Sequence, residues 1–193
     1  MSSKKGLIEY LDNKGFSSEI VKAFETIDRE DFIDSELKSM AYDNTPLPIG
    51  SEATISQPYT IAFMLDLLDL KDNQKILEIG SGSGYVLALI KEISINSEIY
   101  GLELNKDIAE KSQKRVNATV INKNGYNGLE EEAPFDRILV SAAFPEIPKH
   151  LFSQLKENGI LVTPVNQSIY KFIKKEKIIE ESYFGFNFVK MQK

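Results

Sequence analysis

An α/β chain is predicted, with a doubly wound, mostly parallel sheet, an N-terminal helical appendage and antiparallel C-terminal strands. Three observations carry this expectation. Helix-period and strand-length apolar runs alternate from Pro58 to Val165, a glycine-rich turn joins the first strand of that series to its helix, and the segments after Ser168 read as strands with no helix between them. Alternation of this kind gives a parallel sheet whose ligand sits at the carboxyl ends of the strands.

The elements follow in order. Leu7, Ile8 and Leu11 share one helical face, and Ile20, Phe24 and Ile27 share another behind a Ser17 or Ser18 N-cap. From Asp43 to Pro58 the periodicity disappears, and Pro46, Pro48 and Gly50 punctuate a long connection that ends in Thr54-Ile55-Ser56-Gln57. Structureless connections of that length are usually linkers or functional loops. Ile61, Met64, Leu65 and Leu68 then mark a helix that stops near Asp72-Asn73. Lys75 to Ile79 is a buried strand, Gly80 to Gly84 a turn, and Val86, Leu89, Ile90 and Ile93 an amphipathic helix. Glu98–Leu104 reads as a strand, Asn105–Val116 as a helix, Thr119–Asn122 as a short strand and Phe135–Ser141 as a strand. Pro148–Leu155 suggests a helix and Gly159–Val165 a further strand.

At 193 residues and 42% hydrophobic content the chain suits one compact domain with an appendage, divided at residue 58. Twenty-three Lys and Arg against twenty-nine Asp and Glu leave a charge of -6, which disfavours nonspecific contact with nucleic acid. Cysteine is absent, so thiolate nucleophiles and Cys-based zinc sites fall away, and no metal is expected. Met1 to Gly6 run into Glu9, Asp12 and Lys14 rather than an apolar core, and no long apolar stretch occurs, so a cytoplasmic protein without a membrane partner is expected.

The strongest local signal is Leu77-Glu78-Ile79-Gly80-Ser81-Gly82-Ser83-Gly84. Glycines at a strand-to-helix turn let backbone approach a ligand, and the helix N-terminus offers free amide donors. Glu103 ends the next strand, about 20 residues on, where a carboxylate accepts from a ribose diol. An adenosine-containing ligand is implied. A dinucleotide fingerprint is G-x-G-x-x-G, whereas here the third glycine comes one residue early and Glu78 precedes the turn, where it would crowd a pyrophosphate. A carboxylate fits better beside the amino group of a methionine moiety, which favours S-adenosyl-L-methionine. The plainer role for Glu78 is a strand-end carboxylate capping local amides.

Three segments together resemble the protein-L-isoaspartate O-methyltransferase family: Pro46-Leu47-Pro48-Ile49-Gly50 through Ala53-Thr54-Ile55-Ser56-Gln57-Pro58, Leu77 to Tyr85, and Ala133-Pro134-Phe135-Asp136 through Ala142-Ala143. The resemblance implies a Rossmann-like methyltransferase sheet, with residues 1–58 as N-terminal helices and substrate loop and 59–193 as the cofactor-binding core. It implies that Gly80, Gly82 and Gly84, with Ser81, Ser83 and Glu78, line the methionine end of S-adenosyl-L-methionine. Glu103 and Leu104 would hold the ribose side, and Asn124 and Gly125 would flank the adenine. Thr54, Ile55 and Ala143 would meet the substrate, with Ser56 catalytic. An alternative role for Ser56 is the N-cap of the helix opening at Pro58. The implied partners are damaged, isoaspartyl-containing proteins and peptides, met by a monomer.

Two departures stand out. Lys123-Asn124-Gly125 replaces the family's usual Gly-Asp-Gly, leaving an amide whose carbonyl can still accept from the adenine amino group. Phe188-Val189-Lys190-Met191 replaces Phe-Val-Pro-Leu in a short C-terminal part that would form the substrate-facing edge. The implied reaction, methyl transfer to an isoaspartyl carboxylate in protein repair, needs no general base, because such a group is ionised at neutral pH. His150, the only histidine, is accordingly expected at the surface. The alternatives are a methyltransferase acting on another protein or small-molecule nucleophile, and a degenerate cofactor-binding module. Phe63, Phe135, Phe144, Phe152 and Phe172 read as core, and the Lys171–Lys177 run as a lysine-guarded hairpin edge.

Overall fold

A computed structural model describes residues 3–193; Met1 and Ser2 of the N-terminal run lie outside the described residues. Helix α1 (Lys4–Asn13) starts behind Ser3, whose hydroxyl accepts from the Gly6 amide, and α2 (Ser18–Thr26) starts behind Ser17, whose hydroxyl accepts from Ile20. Ser17, not Ser18, is therefore the cap. Two 3-10 stretches, Arg29–Phe32 and Ser35–Met40, follow.

The connection that sequence periodicity leaves structureless contains a hairpin, β1 (Leu47–Gly50) and β2 (Ala53–Ile55), paired antiparallel. Gly50, Ser51 and Glu52 all have positive φ, which closes the turn. The strands are only four and three residues long, too short to show a repeating pattern in the sequence.

Helix α3 (Pro58–Leu68) ends at Asp69 in a left-handed cap, earlier than its polar flank suggests. Then β3 (Lys75–Ile79), α4 (Tyr85–Ile93), β4 (Glu98–Glu103), α5 (Lys106–Gln113), β5 (Thr119–Asn122), β6 (Phe135–Val140), β7 (Leu155–Val165), β8 (Ser168–Ile173) and β9 (Ile179–Phe184) complete the order. The segment expected as a helix at Pro148–Leu155 is a 3-10 stretch, Lys149–Gln154, and β7 begins directly behind it. Buried Gln154 explains the short turn: its side chain bonds the Leu129 amide at 2.8 Å and the Asn127 carbonyl at 2.7 Å, pinning the segment to a neighbouring loop.

The seven-stranded sheet has the order β5-β4-β3-β6-β7-β8-β9. Strands β3 to β7 run parallel, β8 pairs antiparallel with β7, and β9 pairs antiparallel with β8. The strand order reverses at β3, so the chain leaves a crevice at the carboxyl ends of β3, β4 and β6, where open α/β sheets bind ligands. The outer edge is β9, whose Glu180 and Glu181 are exposed, so carboxylates rather than the Lys171–Lys177 lysines guard it.

Side-chain alternation sorts the core. Ile76, Leu139, Ile160 and Val162 face a cluster that includes Leu7, Leu11 and Phe24 of the N-terminal helices, together with α3 and α4. Leu77, Ile138, Val140 and Leu161 face a second cluster with Phe135, Phe144, Leu151 and Phe172. The N-terminal helices thus share the buried core of the sheet. No helix among the described residues is long and apolar enough to cross a membrane.

Candidate active site

A cavity of about 620 Å³ opens at the carboxyl ends of the central strands, within the range that small-molecule sites occupy. One wall is the turn after β3, with Glu78, Gly80, Ser81, Gly82 and Ser83. The end of β4 adds Glu103, Leu104 and Asn105, the loop after β5 adds Asn124 and Gly125, and the end of β6 adds Ser141 and Ala142. The hairpin and the residue behind it supply a further wall through Thr54, Ile55 and Ser56. Its Ile49 lies so near the turn that a Cβ on Gly82 would stand 3.2 Å from Cδ1. Its tip is held by the Asn105 Nδ2 donating to Ser51 Oγ at 2.9 Å.

Glu103 is 8% exposed and accepts from the amides of Gly82 at 2.9 Å and Asn105 at 2.8 Å, one to each carboxylate oxygen. The carboxylate thereby ties the glycine turn to the end of β4. Glu78 is 1% exposed; its Oε1 accepts from the Ser141 hydroxyl at 2.8 Å, while Oε2 is buried without a partner. It caps no amide. Burial pushes the Glu78 carboxyl up to about 8, helped by the nearby Glu103 charge and opposed by the Ser141 hydrogen bond.

Gly125 is required by space, since a Cβ there would meet Ile79 Cγ2 at 2.5 Å. Asn124 Oδ1 already accepts from the Tyr126 amide at 2.9 Å, an Asx turn that leaves its second lone pair for any ligand.

Ser56 is not the N-cap of α3; Gln57 is, with no side-chain capping bond. The Ser56 hydroxyl makes no hydrogen bond among the described residues, although its carbonyl does. Two expected site residues stand off the wall. Ala143 is buried and its backbone pairs with the C-terminal segment, accepting from Met191 and donating to the Val189 carbonyl, so that its neighbour Ala142 faces the cavity.

Gly84 heads α4 at φ 88° and packs against α5, where an added Cβ would lie 2.5 Å from Ser112 Oγ and 2.8 Å from Val116 Cγ1. Gly84→Ala is therefore expected to cost about 2–4 kcal/mol in urea unfolding while the folded fraction keeps its ligand affinity, the strain lying in the backbone and the α4–α5 contact.

Sequence reasoning missed Tyr85 and Val86 at the start of α4, Ser51, Glu52 and Ala53 in the hairpin, and Ser141. Ser141 was visible as the residue closing an apolar strand beside Ala142. The tail residues Val189, Lys190, Met191 and Gln192 also line the cavity, and among the described residues Lys190 is the only lysine or arginine on its wall. His150 is exposed, stacked on Tyr126 and 2.7 Å from its carbonyl, outside the cavity.

An adenosylated, cationic amino-acid ligand fits these groups. The unpartnered buried Glu78 Oε2 and Ser81 Oγ lie on residues of the wall, and Glu103 sits beside them with a carboxylate for a diol. Together with the sheet order, this defines an S-adenosyl-L-methionine-dependent methyltransferase. The chain belongs to the protein-L-isoaspartate(D-aspartate) O-methyltransferase family, whose profile matches residues 2–193. A protein-L-isoaspartate O-methyltransferase of Fervidobacterium nodosum is 43% identical over 96% of this chain and 100% of its own. A solved protein-L-isoaspartate O-methyltransferase superposes with a TM-score of 0.90 at 27% identity, over 99% of this chain and 66% of that longer one. A Plasmodium falciparum structure described as such an enzyme in complex with S-adenosyl-L-homocysteine gives 0.86 at 29% identity, over 100% of this chain and 99% of that one.

Proposed function

We propose that this chain methylates the carboxylate of L-isoaspartyl residues in damaged proteins and peptides, as a protein-repair enzyme. The observation that carries the reading is that Ser56 and the glycine turn line one cavity, in a chain that its family profile matches from residue 2 to 193.

When bound, S-adenosyl-L-methionine supplies an electrophilic methyl group. The chain's part is to hold and align. Glu103 accepts from the ribose diol, Glu78 with Ser81 and Ser83 receives the methionine end along Gly80 and Gly82, and Leu104, Asn124 and Gly125 enclose the adenine. Thr54 and Ile55 close over the substrate, and the free Ser56 hydroxyl donates to its carboxylate. That carboxylate, with an ordinary pKa of about 4, arrives as the nucleophile without a base. The protein's contribution is to align atoms about 3 Å apart and to exclude water. The next backbone amide nitrogen then attacks the ester carbonyl, its proton leaves with the methoxide as methanol, and the ring closes to a succinimide. Residues 1–58 serve as the substrate-side cover and 59–193 as the cofactor-binding core. The protein works as a cytoplasmic monomer without nucleic-acid or membrane partners, a reading supported by its charge of -6.

Labelled methyl transfer to an isoaspartyl peptide, with the aspartyl isomer as control, tests this reading: transfer to the first alone is expected, and equal transfer or none would overturn it.

Glu78 has a consequence in pH. Its pKa is raised in the folded chain, so the folded state keeps a proton that the unfolded chain has lost between the ordinary carboxyl value and about 8. The ligand-free protein therefore loses stability as pH rises through that window. A ligand ammonium beside the carboxyl favours its anion, so binding S-adenosylhomocysteine at pH 7 is expected to release close to one proton. Calorimetry in buffers of different ionisation enthalpy reads that proton, and Glu78→Gln should abolish it.

A further inference from the structure

We propose that Arg29 is the positioning residue for Ser56, its guanidinium fixing the base of the hairpin that carries the serine over the cavity. The proposal rests on the reading of Ser56 given above. Arg29 stands on the 3-10 stretch behind α2 and is 1% exposed, among the most deeply buried large side chains. All its hydrogen bonds among the described residues go to backbone carbonyls of one stretch of chain. Nη1 donates to Ala41 at 2.8 Å and to Asp43 at 3.4 Å; Nη2 donates to Thr45 at 3.0 Å and to Ser56 at 3.1 Å.

Thr45 lies just before β1 and Ser56 just after β2, so one nitrogen holds both feet of the hairpin. The strand pairing begins only at Leu47 with Ile55 and is irregular beyond Pro48. A two-stranded ribbon of this length has little stability of its own. The fork therefore supplies the closure that the short ladder lacks, and the carbonyl it grips belongs to the residue whose hydroxyl is free on the cavity wall.

Stability alone does not account for such a residue. Burying a cation carries a desolvation cost, which lowers the Arg29 pKa to about 10, and an apolar side chain of similar volume commonly serves a core as well or better. What an apolar residue cannot do is orient four carbonyls in fixed directions. Lysine cannot do it either, because its ammonium is a point charge without a planar fork. The Asp43 carboxylate adds to the favourable field around the guanidinium. The N-terminal segment is thus linked to the reacting end of the site through a single side chain.

Arg29→Lys, Arg29→Met, Ser56→Ala and the double variant Arg29→Lys/Ser56→Ala, each in the full chain, test the assignment. Arg29→Lys should lower kcat on an isoaspartyl peptide about tenfold or more, with peptide KM and S-adenosylhomocysteine Kd within about threefold of wild type. The double variant should be within about twofold of Ser56→Ala, since a residue acting through Ser56 has nothing further to lose once that hydroxyl is gone. Amide hydrogen exchange of residues 54–57 should quicken about tenfold or more in Arg29→Lys while β3 and α4 stay protected.

Multiplicative losses in the double variant, a cofactor Kd that rises in step with the loss of kcat, or unchanged exchange at 54–57 would each overturn the proposal. So would failure of both Arg29 variants to fold in the presence of S-adenosylhomocysteine, which would make Arg29 a residue of the core. A wild-type chain inactive on the peptide would sink the functional reading instead, and the exchange measurement would still decide whether Arg29 holds the hairpin.

Discussion

Ser56→Ala is expected to lower turnover on an isoaspartyl peptide about 10- to 100-fold while leaving S-adenosylhomocysteine affinity within a few-fold of wild type. The magnitude follows from removing one hydrogen bond to a charged oxygen in a closed site, worth roughly 1 to 3 kcal/mol of transition-state stabilisation. The selectivity follows from geometry. Ser56 lies on the hairpin wall, whereas Glu78, Gly80 and Glu103 lie on the sheet wall, and the serine hydroxyl makes no bond within the described residues that its loss would break. Little stability should be lost, because Gln57 and not Ser56 occupies the N-cap of α3. Steady-state kinetics beside calorimetric titration separate the outcomes. A cofactor affinity that collapses together with turnover would place Ser56 in the cofactor site.

Glu103→Ala should cost more than a hundredfold in S-adenosylhomocysteine affinity. Two charge-assisted hydrogen bonds to a ribose diol, each worth about 1.5 to 3 kcal/mol, account for the direct loss. A second loss accompanies it, since the same carboxylate receives the Gly82 and Asn105 amides and so holds the glycine turn against β4. Without it both amides lose their acceptor, and the hairpin loosens too, because Asn105 also holds Ser51 at its tip. Glu103→Gln keeps an acceptor oxygen and should lose about tenfold, an amide being the weaker partner. Affinities within threefold of wild type for Glu103→Ala would show that the diol is bound elsewhere.

The sheet was legible wherever a segment was long enough to repeat its pattern. Lys75–Ile79 and Thr119–Asn122 are found with the bounds expected, and the elements around Tyr85, Glu98 and Phe135 differ by a residue or two at their ends. The hairpin at 47–55 was hidden because strands of three and four residues carry no period, and its turn is built by Ser51 and Glu52 at positive φ, which their residue types do not announce. The 3-10 stretch at Lys149–Gln154 was hidden because Gln154 decides it through bonds to residues far away in sequence. Ala143 and Gly84 were expected on the cavity wall from their places in motifs; the register of the C-terminal segment and the close approach of α5 take them off it. Arg29 left no signal at all, being one basic residue in the run Asp28-Arg29-Glu30-Asp31.

Local order along the chain was enough to determine the alternating α/β architecture, the glycine turn and the acidic ends of β3 and β4, because hydrophobic period and turn chemistry act over a few neighbouring residues. Only the tertiary structure decided which of those residues meet. A buried guanidinium gathers carbonyls from Ala41 to Ser56 at the base of the hairpin, and the Glu78 carboxyl is pushed up because packing removes it from water. Both depend on contacts between residues distant in sequence, and a linear pattern does not encode the solvent that folding excludes.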